Sequence, residues 1–325
     1  MGGLAAPMIW TARRAAALPG PVLDAAGDHP QLRAIAVWSG GAEIAARGYR
    51  NWTPDEPTNI KSASKSVVSA LVGMALARGV FSGTDQPIAG ILAPEMPANP
   101  DPLLKQVTIG NLLSMQAGLE RQSGAAYGQW VSSPNWVRRA LAAPMVDRPG
   151  GRMLYSTAST HLLSAMLTRA SGRSTLQLAR DWLGGIPGFR IAGWERDPQG
   201  IYIGGNEMAM STRSLLAFGA TYAAQGHAGG QQVVPADWIA QSWQRRTRSA
   251  FTNSGYGYCW FLDEMAGRTV NYGWGYGGQM IYVAPATRGR SAVAIAMTSD
   301  PNLPSGGNGY RNALHVIAAD LLRSL

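Results

Sequence analysis

The stretch Asn59-Ile-Lys-Ser-Ala-Ser-Lys-Ser-Val-Val-Ser-Ala-Leu-Val-Gly73 decides how this chain is read. Val67, Val68, Leu71, Val72 and Ala75 recur at helical spacing over residues 62–78, and Gly79 ends the run. Ser62 opens the predicted helix, and Lys65 stands one turn on, on the same face. A serine hydroxyl is a poor nucleophile at its ordinary pKa and needs a neighbouring base, which a desolvated lysine can supply. A helix start also offers free N–H groups to a developing oxyanion. Taken alone, the pair reads equally well as a polar helix start facing solvent.

Composition narrows the classes. The chain has 325 residues, 46% hydrophobic and 14% charged, which suits one large domain or two interlocked ones with a sizeable core. No apolar run reaches the roughly 18 residues that a membrane span needs. Arg13-Arg14 is not followed by an apolar segment, so no signal peptide is read. The expected compartment is the cytoplasm for the chain as written, and the periplasm or exterior if a leader was removed. The net charge is +9, but the 28 basic residues are scattered, with no run of five like charges. That pattern argues for solubility charge and against a nucleic-acid partner. The single cysteine, Cys259, excludes an internal disulfide and reads as a buried structural thiol. His29, His161, His227 and His315 lack metal-ligand spacing, so neither a metal nor a cofactor is expected.

A short helix is expected over 15–27, then a hairpin of strands at 33–38 and 43–49 around Ser39-Gly-Gly41. Helical segments follow at 108–115, 130–142, 157–170, 176–183, 211–224 and 236–244. Strands return at 256–262, 269–272, 278–283 and 291–297, and an amphipathic helix at 310–325 closes the chain. The natural assembly is one antiparallel sheet built from both ends of the chain. Terminal helices would cover one face and a helical insertion the other. Residues 1–60 and 250–325 would form a discontinuous α/β domain. Residues 61–249 would form a mainly helical one, carrying the nucleophile helix at the interface.

Five segments, in order, carry a resemblance. The first is the Ser62 helix with its S-x-S-K pattern. The second is Thr108-Ile-Gly-Asn-Leu-Leu-Ser-Met-Gln-Ala-Gly-Leu119, and the third is Pro149-Gly-Gly-Arg-Met-Leu-Tyr-Ser-Thr157 with the helix after it. Gly204-Gly-Asn-Glu-Met-Ala-Met-Ser-Thr-Arg-Ser-Leu-Leu-Ala-Phe-Gly219 and Tyr272-Gly-Trp-Gly-Tyr-Gly-Gly-Gln279 complete the set. Together they resemble the serine β-lactamase and penicillin-binding-protein superfamily, in its class C-like branch. The resemblance implies an α+β fold of the β-lactamase/transpeptidase type: an antiparallel five-stranded sheet flanked by helices, with a helical insertion. It implies Ser62 as the acylated nucleophile, Lys65 as its partner, and Tyr155 as the general base of the Y-x-N motif. A phenol between cations would have a lowered pKa. It also implies Ser62 and Tyr276 as the donors of the oxyanion N–H groups.

This chain departs from that pattern in two places. Thr157 replaces the asparagine of Y-x-N, and a hydroxyl lacks the amide's reach. The third motif has no lysine or histidine: Gly273 stands in the cationic position, Trp274 follows, and Gly275 matches the motif glycine. A missing cation weakens a β-lactam or peptidoglycan reading. It favours the carboxylesterase or 6-aminohexanoate-oligomer hydrolase type, with small esters ahead of β-lactams or linear amides. A non-catalytic, peptide-binding relative would be expected to have lost one of Ser62, Lys65 or Tyr155. Trp130, Trp136, Trp260 and Trp274 are candidates to line an apolar acyl pocket.

Overall fold

The structure is a computed structural model and describes residues 19–325. Eight strands form one antiparallel sheet. They are β1 (Leu32–Ser39), β2 (Ala42–Gly48), β3 (Thr247–Arg248), β4 (Gly255–Tyr256), β5 (Phe261–Met265), β6 (Arg268–Gly275), β7 (Gln279–Ala284) and β8 (Val293–Ser299). Their spatial order is β2-β1-β8-β7-β6-β5-β4-β3. The first hairpin therefore zips onto the last strand, with Ala36 opposite Ala296 and Val37 opposite Ile295. Every residue of β7 and β8 is buried, so these central strands show no polar alternation; both of their faces are covered.

The helices that position the site are α1 (Gly20–Ala26), α2 (Ser64–Ala77), α3 (Thr157–Ser171), α4 (Thr212–Ala223) and α5 (Tyr310–Ser324). The α4 helix covers one face of the sheet, where a Cβ on Gly219 would come within 2.8 Å of the Ile281 side chain. The α5 helix covers the other face, with α1 packed against it; the Tyr282 hydroxyl lies 3.1 Å from His315 Nδ1. Successive residues of β7 thus serve opposite layers, as the pleat requires. The α2 helix is buried from Ser64 to Ala75. Its serines are satisfied there: Ser66 Oγ donates to Cys259 O at 2.9 Å and Ser69 Oγ donates to Tyr258 O at 2.8 Å.

The sheet and helices follow the expected α+β plan, with four differences. The sheet has eight strands where five were implied: the first hairpin and four C-terminal strands make six, and the two-residue strands β3 and β4 extend the edge beyond β5. The apolar run 256–262 is two strands separated by a turn. Gly257 packs so tightly that a Cβ would lie 2.1 Å from Ser242 O, and Cys259 adopts φ 62°. The buried rings of Tyr258 and Trp260 made that turn look like a strand. The expected helix 130–142 is also two pieces, Tyr127–Val131 and Trp136–Leu141. Pro134 disfavours helical geometry at Ser133, and Asn135 caps the second piece by accepting from Arg138 N at 2.9 Å. The expected helix 15–27 begins at Gly20; positions 15–18 lie outside the described residues.

Gly73 is where α2 meets the helix Ala236–Ser242, and a Cβ there would fall 2.1 Å from the Trp238 ring. Gly73→Val should therefore lower the unfolding free energy by about 2–3 kcal/mol through overpacking. The urea midpoint measures this, and an unshifted midpoint would contradict the close helix contact.

Candidate active site

The site begins at the turn that precedes α2. Ser62 lies in a short 3-10 segment, Lys61–Ala63, rather than in the α-helix itself. Lys61 adopts φ 48°, a left-handed conformation that costs a non-glycine residue about 1 kcal/mol. Its surroundings hold it there. Lys61 N donates to Asn59 Oδ1 at 2.9 Å, Lys61 Nζ pairs with Glu207 at 3.3 Å, and Asn59 Nδ2 donates to the same carboxylate. Ser64 Oγ closes the turn by donating to Lys61 O at 2.7 Å.

Strand β6 presses directly on this turn. A Cβ on Gly275 would lie 2.2 Å from Ile60 O, and one on Gly273 would lie 2.9 Å from Ser66 Oγ. The two glycines let the strand pass close to Ser62. Beyond Gly275, Tyr276 is half exposed at the rim of the site. Neither the Ser62 nor the Tyr276 N–H finds an acceptor among the described residues.

Lys65 is 1% exposed, in the first turn of α2. Its Nζ lies 3.1 Å from Ser62 Oγ, 2.6 Å from Gly205 O and 3.4 Å from Thr157 Oγ1. It has no carboxylate partner within salt-bridge distance among the described residues. Burial brings its pKa down from the usual lysine range to about 7. Thr157 opens α3, and its hydroxyl lies 2.9 Å from Ser123 Oγ, which also accepts from Thr157 N at 2.8 Å. A pair of hydroxyls thus occupies the place expected of an amide.

Tyr155 enters from the segment before α3. Its carbonyl accepts from Arg121 Nε at 3.0 Å, and its ring stacks on Phe261 and lies 5.3 Å from Lys65 Nζ. Burial raises the phenol's pKa well above its ordinary value, while Ser62 and Arg121 pull weakly the other way. This reverses the sequence-based expectation: desolvation outweighs the cations. Cys259 lies behind the site; burial pushes its thiol up to about 12, in keeping with a structural role.

These groups open onto a cleft of about 580 Å³. Ser62, Tyr155, Thr157, Trp274 and Tyr276 line it together. Trp130, Trp136 and Trp260 do not. Trp130 and Trp136 pack around His161, and Trp260 sits in a buried cluster with Phe218 and Tyr222. The sequence reading singled out none of Arg121, Tyr127, Asn206, Phe251 and Arg311 as site residues; Asn206 falls in the quoted 204–219 segment, and the other four share no motif. The cleft wall carries two guanidinium groups and no carboxylate. Among the described residues no group of three or more His, Cys, Asp or Glu could hold a metal, and no helix is long and apolar enough to cross a membrane.

Solved structures share this architecture at low identity. A Bacillus anthracis protein assigned as a 6-aminohexanoate-dimer hydrolase superposes with a TM-score of 0.74 and 17% identity, over 92% of this chain and 80% of that one. EstCE1, described as a hydrolase with promiscuous acyltransferase activity, gives 0.73 and 17%, over 93% and 97%. A class C β-lactamase from Rhodobacter sphaeroides gives 0.66 and 15%, over 94% and 98%. The sequence profile of the Beta-lactamase family matches residues 30–318, nearly the whole of the described chain, and the protein belongs to that family.

Proposed function

We propose that the protein is a serine hydrolase that cleaves small esters through an acyl-enzyme on Ser62. The observation that carries this reading is the Lys65 amine, 3.1 Å from Ser62 Oγ and brought by burial to a pKa of about 7. A neutral amine has two N–H donors and one lone pair. Gly205 O can only accept, and it takes one N–H at 2.6 Å; the Thr157 hydroxyl takes the other at 3.4 Å. The lone pair is then left for the Ser62 hydroxyl proton.

In the first half-reaction, Ser62 Oγ bonds to the ester carbonyl carbon as its proton passes to Lys65. The N–H groups of Ser62 and Tyr276 are available to the oxyanion. Tyr155 stays protonated in the free site, so it serves as a donor to the departing alkoxide rather than as the base. As the ester C–O bond breaks and Tyr155 gives its proton to the alkoxide, the proton held by Lys65 restores the phenol and leaves the amine neutral. In the second half-reaction, water gives a proton to Lys65 and attacks the acyl carbon, and Ser62 leaves as that proton returns to it from Lys65. A phenol whose pKa is raised is a weak acid. It suffices for an alkoxide or phenoxide, but an amide nitrogen asks more of its acid before it can leave. The 6-aminohexanoate-type amide and β-lactam readings therefore stand second to the ester reading. The aromatic wall of Tyr155, Phe251, Phe261 and Trp274 fits an apolar acyl or aryl group.

A fluorophosphonate probe should give one adduct, mapped by mass spectrometry to Ser62, and Ser62→Ala should abolish ester turnover while leaving the circular dichroism spectrum unchanged. An adduct on another serine would overturn the assignment.

Because Lys65 must be neutral to accept a proton, kcat/KM for p-nitrophenyl butyrate should fall as pH drops through about 7, by one decade per pH unit below it. Above that pH the profile should level off. Lys65→Ala should cost roughly 10² or more in kcat and remove this limb. A limb that survives the substitution would mean that another group is the base.

A further inference from the structure

The charge on the cleft wall extends the reading above to a substrate class. Arg311, the second residue of α5, places its guanidinium 4.9 Å over the Trp274 ring. Its Nε is buried with no acceptor, and its one side-chain hydrogen bond, to Asn312 Oδ1, is long at 3.4 Å. No carboxylate lies within salt-bridge distance of it among the described residues, although the same chain pairs Arg33, Arg152, Arg169 and Arg213 with acids. Beside it the wall is bare backbone: a Cβ on Gly306 would reach no nearer than 3.8 Å to Trp274, and one on Gly307 would meet nothing within 4 Å. An unneutralised guanidinium in an aromatic cleft is strongly attractive to an anion, because the surroundings screen it weakly. Arg121 is the cleft's other cation, but its Nε is already committed to Tyr155 O and its guanidinium sits over Phe251.

We infer that Arg311 is a specificity-determining residue and that the preferred substrate is an ester bearing a carboxylate. The inference rests on the acyl-enzyme reading of the same cleft. Gly273 cannot provide such a charge: its Cα faces Ser66 and Ile281, with no room for a side chain. The cation comes instead from the C-terminal helix, whose Arg311 lies over Trp274 in the same cleft as Ser62. Trp274 is held there by its own Nε1–H, which donates to Ser305 Oγ at 3.1 Å. The carboxylate would take the free Arg311 donors while the ester's apolar part lies against the aromatic wall. A charge-assisted hydrogen bond of this kind is worth about 10- to 150-fold in kcat/KM.

Two matched pairs of esters test it. Mono-4-nitrophenyl glutarate against 4-nitrophenyl butyrate places the carboxylate on the acyl side, and 4-carboxyphenyl butyrate against phenyl butyrate places it on the leaving side. In at least one pair the anionic ester should be preferred by about tenfold or more. That ratio should collapse in Arg311→Gln and be partly kept in Arg311→Lys. A preference for the neutral ester in both pairs overturns the inference. So does a ratio unchanged in Arg311→Gln, or one lost only in Arg121→Gln. The nucleophile reading is separated by Ser62→Ala: binding of the unreactive amide 4-butyramidobenzoate, followed by tryptophan fluorescence, should still weaken about tenfold when Arg311→Gln is added. Ester turnover that persists in Ser62→Ala would count against the nucleophile and leave this binding contrast to stand or fall alone.

Discussion

The removal of the Lys65 ammonium from water is the constraint on which the rest of the site depends. A buried lysine with no acidic partner is costly while charged, and the protein meets that cost by letting the amine go neutral near physiological pH. The neighbours are those a neutral amine can use: one carbonyl, one hydroxyl, and a serine that can give up its proton. A carboxylate in place of Gly205 O would stabilise the charged form and leave no lone pair for Ser62.

The surrounding structure is shaped to keep that amine in place. Gly205 adopts φ 86°, and a Cβ there would sit 2.5 Å from Lys65 Cγ, so both its backbone and its lack of a side chain are required. The loop that carries it is tied to α3. Thr160 Oγ1 donates to Gly204 O at 2.7 Å, and Gly204 N donates to His161 Nδ1 at 3.4 Å. His161 Nε2 faces Asp197 at 3.0 Å, and the other oxygen of Asp197 accepts from Gln199 N and Ile201 N. His161 and Asp197 are buried, so this brace spans the loop without exposing it. On the other side, Gly273 and Gly275 bring β6 against the nucleophile turn, and Asn59 and Glu207 hold Lys61 in its left-handed conformation.

Much of this was legible in the chain itself, and the parts that were not share a physical cause. The spacing of Ser62 and Lys65, the Tyr155 block and the Gly273–Gly275 strand are local patterns; Ser62, Tyr155 and Trp274 line one cleft, and Lys65 reaches it through Ser62 at 3.1 Å. The sheet built from both chain ends followed from strand-like segments at 33–49 and 256–297. Hidden from the sequence were features set by tertiary burial. The Tyr155 phenol looks acidic among cations but is desolvated by Phe261 and Tyr256 packed around it. Trp130 and Trp260 look like pocket residues but fill the core. Arg311 lies 37 residues beyond Trp274 in the chain, and only the packing of α5 on the sheet brings the two together. Among 28 basic residues nothing local distinguishes it.

The state of the Lys65 amine can be read directly. The chain has only three lysines, Lys61, Lys65 and Lys105, so the ε-carbon resonances of ¹³C-labelled lysine are few enough to assign by substitution. A titration by NMR should show one of the three changing protonation near pH 7, and Lys65→Arg should remove that resonance. If all three titrate in the ordinary lysine range, the Lys65 amine is a cation at neutral pH. It then cannot take the Ser62 proton, and the account of the site given above is wrong.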